Sequence, residues 1–110
     1  MSVTYRYHHV GIPTTSPVEG MTRLDHLRIA CTDHESNPYG VQWMMYDADC
    51  PVPQLVRDVA HVAFEVDNLE EALAGKKVII PPNSPSPSVL VAFIEEAGAP
   101  IELLQIERDT

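Results

Sequence analysis

A short phrase occurs twice in this chain. His9-Val10-Gly11-Ile12 near the start returns as His61-Val62-Ala63-Phe64 at mid-chain. Each copy sets a histidine at the head of an apolar strand and follows it with a residue small enough to leave room beside an imidazole. Symmetry of this kind signals two copies of one supersecondary unit, each bringing an inward-pointing histidine. A late strand, Ile101-Glu102-Leu103-Leu104-Gln105, adds a carboxylate in apolar surroundings. Two histidines and a carboxylate carried on strands are the raw material of a divalent metal site.

Composition limits what can be built around that phrase. At 110 residues the chain is one small domain with one core. With 45% hydrophobic and 21% charged residues it reads as globular and soluble. No apolar run approaches the roughly 20 residues that span a bilayer, and Met1 to Arg6 lacks the apolar core of a signal peptide. No membrane partner is expected, and the expected location is cytoplasmic. A formal charge of −9 argues against nucleic acid, because phosphates would be repelled by the acidic surface. Cys31 and Cys50 show no metal-ligand spacing and read as free thiols in a reducing compartment.

Along the chain, alternation predicts a strand over 5–12, with Tyr5, Tyr7, His9 and Gly11 on one face and His8 turned outward. Ser16-Pro17-Val18-Glu19 reads as a capping box opening a helix of a turn or two, cut short by Gly20. A second strand is expected over 24–31, a turn segment over 32–40, and a strand over 41–46. Residues 47–53 read as a linker. A strand over 59–66 leads to a helix capped by Asp67 with Glu70 as box partner and Gly75 at its close. A short strand over 77–80 gives way to the proline-rich 81–88, which cannot pair as a central strand. Residues 89–94 and 101–106 form a hairpin. The second half is thus β-α-β-β-β, and the first is the same unit with its helix trimmed and a strand in doubt.

These residues resemble the vicinal oxygen chelate superfamily, which includes glyoxalase I, methylmalonyl-CoA epimerase, extradiol dioxygenases, and the fosfomycin and bleomycin resistance proteins. The resemblance is carried by HVAFEVDNLEEAL, VLVAFIEE and IELLQ in the second half and by HHVGIP in the first. It implies an α+β fold: two βαβββ modules, the first shortened, forming a U-shaped, partly open mixed β-barrel. Module one would run over about 1–50 and module two over about 56–110, within a single domain 1–110. It implies four ligands for one divalent metal ion: His9, Gln42, His61 and Glu102. That His/Gln/His/Glu set is similar to the epimerase, whereas glyoxalase I more often uses two glutamates. Module one is unusually short, and the substrate-binding segments of characterised relatives have no counterpart.

Each site residue also has a plainer reading. His61 could be a core histidine bonded to backbone, Glu102 an edge-strand carboxylate, and Gln42 a cross-strand hydrogen-bonder. Glu65 shares strand parity with His61, which makes it a candidate general base beside Glu102, or else a surface-edge residue. Met44 and Tyr46 share a face with Gln42 and could line a pocket. His26 and His34 read as solvated surface. The function implied is a metal-dependent lyase or isomerase of a small oxygen-rich metabolite, working through a metal-stabilised enolate. Ni, Co, Mn, Zn and Fe all suit such ligands. A metal-free small-molecule binding or resistance protein is the alternative. Incomplete closure of the barrel leads us to expect a homodimer.

Overall fold

In the computed structural model, which describes residues 3–107, the apolar runs of the sequence become eight strands of one mixed sheet. They are β1 (Arg6–Pro13), β2 (Thr22–Leu24), β3 (Ile29–Cys31), β4 (Val41–Tyr46), β5 (His61–Glu65), β6 (Lys77–Ser86), β7 (Val89–Glu96) and β8 (Ala99–Ile106). Two short helices, α1 (Gln54–Asp58) and α2 (Leu69–Leu73), complete the fold. Across the sheet the order is β2-β3-β4-β1-β5-β8-β7-β6, curled into a half-barrel. At its centre β1 and β5 run antiparallel, each flanked by a parallel neighbour, β4 and β8 respectively. The remaining pairs are antiparallel. Among the described residues no helix is long and apolar enough to cross a membrane.

Several local expectations need correction. The strand expected over 24–31 is a tight hairpin: β2 and β3 pair across a 3-10 turn, Asp25–Leu27, closed by Arg28 in the left-handed region. No strand is missing from the first half. Its helix is missing, because 14–21 holds only bends and turns despite the Ser16 capping signature. The segment 47–53 is followed by α1, which the two prolines at 51 and 53 concealed. Asn68, not Asp67, caps α2 by accepting from the Glu71 N–H, and Asp67 instead receives Arg6. β6 continues through Pro81, Pro82 and Pro85, with register shifts along its pairing to β7. It can do so because it is an edge strand, where a missing N–H faces no partner.

Period-two alternation splits the apolar residues between two faces. On the outer face α2 covers a buried cluster of Val66, Leu69, Ala72, Ala92, Ile94 and Leu103. Full burial of Leu69 and Leu103 stabilises by roughly 1.5–3 kcal/mol each. On the concave face Ile29, Cys31 and Cys50 pack with Met44 and Tyr46, and Ala63 packs with Val91 and Leu104. Between these two concave patches lie the polar side chains.

Candidate metal centre

The register of β1 against β5 brings the two histidines together. His9 stands opposite Ala63 and Gly11 opposite His61, with Val10 opposite Val62 between them. Each imidazole thus faces the small residue of the other copy of the repeat. The fit is tightest at Gly11, where a Cβ would lie 2.2 Å from His61 Cε1 and 2.5 Å from Nε2. Only glycine lets the His61 ring lie against the β1 backbone. Phe93 closes the other side with an edge-on ring contact at 5.0 Å. The two imidazoles sit 5.8 Å apart, centre to centre, at 80°.

The flanking parallel strands supply the remaining polar groups. β8 places Glu102 beside Ala63, and β4 places Gln42 beside Gly11. Gln42 therefore holds on β4 the position that Glu102 holds on β8. Glu102 Oε1 lies 2.9 Å from His61 Nε2 and 3.4 Å from His9 Nε2. His9, His61 and Glu102 are buried, with 5%, 1% and 8% of their surface exposed. Yet His9 Nε2 and both nitrogens of His61 have no hydrogen-bond partner of acceptable geometry. Burying an unpaired polar atom costs about 1–3 kcal/mol, so the two Nε2 atoms that converge on Glu102 call for a common partner, one that His61 Nδ1, on the far side of its ring, cannot share. Donors about 2.0–2.2 Å from a tetrahedral ion stand about 3.3–3.6 Å from one another; the 3.4 Å separation falls in that range, and the 2.9 Å one would open by about 0.4 Å. The donor set fits a divalent cation. Burial pushes the Glu102 carboxyl up, but His61 and His9 outweigh it and hold it at about 2, so the carboxyl is an anion at neutral pH.

A cavity of about 460 Å³ opens over this cluster. Gln42, Met44 and Tyr46 line it together with His9 and Glu102, as the parity of β4 predicts. Leu24, Ile80, Val89 and Phe93 make much of the rest of its wall apolar. Burial, with the Glu102 charge behind it, raises the Tyr46 phenol well above its usual range. Burial likewise pushes the Cys31 thiol up, with the neighbouring Gln42 acting the other way.

Three expectations fail here. His8 does not turn outward. A bulge between Tyr7 and His9 makes His8 the extra residue of β1, and its half-buried ring lines the cavity. Bulges re-aim side chains in this way next to functional sites. The same bulge flips the parity ahead of it. Tyr5 therefore shares the outer face with Phe64, its ring meeting Phe64 edge-on at 6.0 Å, and Tyr7 is 53% exposed. His34 is not free surface: its ring packs 4.6 Å from His8 and 5.4 Å from His9, carried there by the 3-10 turn His34–Ser36. His26 is exposed but stands at the cavity wall. Burial, then the nearby His9 and His34, lower the His8 pKa. Glu65 is buried as its parity requires, but it sits 3.6 Å from the Arg6 guanidinium and does not line the cavity. The adjacent pair His8-His9 was the only sequence signal for the larger histidine cluster.

No family model matches this chain, and no curated protein does either. Among solved structures it is similar to the hypothetical protein BH1468 from Bacillus halodurans C-125, at 18% identity and a TM-score of 0.64. The match covers 97% of this chain and 98% of that one. At this identity the likeness is one of fold.

Proposed function

We propose that the chain is a divalent-metal-dependent lyase or isomerase of the vicinal oxygen chelate type, acting on a small oxygen-rich metabolite in the concave cavity. The observation that carries this reading is the trio His9, His61 and Glu102, buried together, with the Nε2 atoms of both histidines turned to Glu102 and lacking partners of acceptable geometry. Two βαβββ modules, the first without its helix, account for the fold. The strand order supports them, since it reads first, fourth, third, second outward from the centre in both halves. His9, His61 and Glu102 would hold the ion, with Gln42 as the fourth ligand from Glu102's counterpart position. Bound there, the ion supplies Lewis-acid polarisation of a substrate oxygen. Glu102, ionised at neutral pH, is the one carboxylate among the described residues on the cavity wall. The proton leaving the substrate carbon therefore falls to it rather than to Glu65, which Arg6 engages. The apolar walls exclude water and admit the body of the substrate.

The apolar wall also favours a second reading, a metal-free binder of small molecules in the same cavity. Metal analysis of protein purified without a histidine tag, followed by titration of Ni, Co, Mn and Zn into the chelator-treated form, separates the two. The first reading expects one ion per chain, with binding much weaker in Glu102→Gln. No binding by the parent would leave the binder.

A further inference from the structure

His9 presents its two ring nitrogens to different neighbours. Nε2 faces Glu102 and His61, whereas Nδ1 lies 2.7 Å from Nδ1 of His8. Two bare nitrogens cannot approach so closely, because their lone pairs repel, and two N–H groups would collide. One proton must lie between them. A second ion shared by His8, His9 and His34, whose nitrogens also cluster, is disfavoured by the distance. Donors on a common tetrahedral ion keep about 3.3–3.6 Å, and 2.7 Å is a hydrogen-bond separation.

The proton has two possible owners. If His8 held it, His9 would carry its own proton on Nε2. That N–H would face the Glu102 carboxylate, 3.4 Å away, and would occupy the lone pair that an ion needs. If His9 holds it, Nε2 is left as a bare lone pair aimed at Glu102 and His61, the form favoured when a cation stands between that nitrogen and the Glu102 carboxylate. His8 then carries its proton on Nε2, on a ring that is only half-buried and steadied by His34. The geometry points to the second arrangement: His8 is a positioning residue that accepts from His9 Nδ1–H and so fixes the His9 tautomer with Nε2 free to ligate. This gives the β1 bulge a purpose, since without the extra residue His8 would face away. The inference rests on the metal-centre reading, because ligation through Nε2 is what puts the His9 proton on Nδ1.

Nitrogen-15 NMR of the histidine rings in the zinc-loaded protein tests it directly. The expected spectrum shows a coupling across the hydrogen bond between the two Nδ1 atoms, with His9 Nδ1 protonated and His8 Nδ1 bare. The reverse assignment, or no coupling, overturns the proposal. Zinc titration of variants with unchanged thermal midpoints supplies the second arm. His8→Ala should bind zinc about 10–100-fold more weakly, while His8→Asn, which keeps an acceptor near the same place, should restore most of the affinity. Unchanged binding in His8→Ala, an equal loss in both variants, or two zinc ions per chain with one lost in His34→Ala would overturn it. If the parent binds no zinc, the metal-centre reading falls and this proposal falls with it, whereas zinc binding with the reverse spectrum overturns this proposal alone.

Discussion

At the scale of single residues, glycine and alanine do as much for the site as the histidines. Ala63 already carries a Cβ opposite His9, but Gly11 cannot, because the His61 ring occupies that space. Gly11→Ala should therefore displace a fully buried ring, destabilise the fold by about 1–3 kcal/mol and weaken ion binding by at least about tenfold. Urea unfolding and metal titration of the variant check both. The Glu102 carboxyl makes a second, pH-dependent case. Its pKa is lower in the folded chain, at about 2, than the ordinary 4.5. Its contribution to stability is thus complete above about 4.5 and is lost as pH falls through about 2. In metal-free protein, the stability gap between the parent and Glu102→Gln should hold steady from about pH 7 to pH 5 and narrow on further acidification. Urea denaturation across that range would contradict this if the gap widened.

Elements show which parts of the fold the sequence made legible. β4 matched its expected bounds because its six residues, all apolar or aromatic except Gln42, end cleanly at Gly40 and Asp47. The β7–β8 hairpin was equally plain, but its turn is tighter than expected. Only Ala97 and Gly98 lie between the strands, both at positive φ, 51° and 84°. Paired positive φ values belong to the two-residue turn that suits strand twist, and there an alanine pays a steric penalty. Ala97→Gly should raise stability by roughly 0.5–1 kcal/mol, measurable as a shift in the denaturation midpoint. Other elements were hidden for physical reasons. A bulge has no residue signature of its own, so the alternation of β1 predicted the wrong side for His8, Tyr5 and Tyr7. The prolines of β6 signalled a loop because edge position, which tolerates them, is a tertiary fact. At the site, the repeat and parity carried His9, His61 and Glu102, whereas His34 arrives through a turn that periodicity cannot see.

Across the whole molecule, the sheet offers two open edges, β2 and β6, and an outer face covered on the β7–β8 side by α2 but by no helix in the 14–21 connection. Val62 is 36% exposed on that uncovered centre, and Tyr5, Tyr7 and Tyr39 are more exposed still. Apolar groups left open on a small domain favour association. The chain should be a homodimer at micromolar concentration, and light scattering behind a sizing column, giving twice the 12.2 kDa chain mass, would show it. A monomer under those conditions would count against the expectation.

The central ladder has one more consequence. The two halves of the sheet join through β1 and β5 alone, so a chain severed in the segment 47–53 would leave each piece with a bare, histidine-bearing strand edge. Neither piece could complete the trio, since one holds His9 and the other His61 and Glu102. Such pieces are natural halves of a split reporter, each mute by itself and joined by the ladder that places Val10 across from Val62.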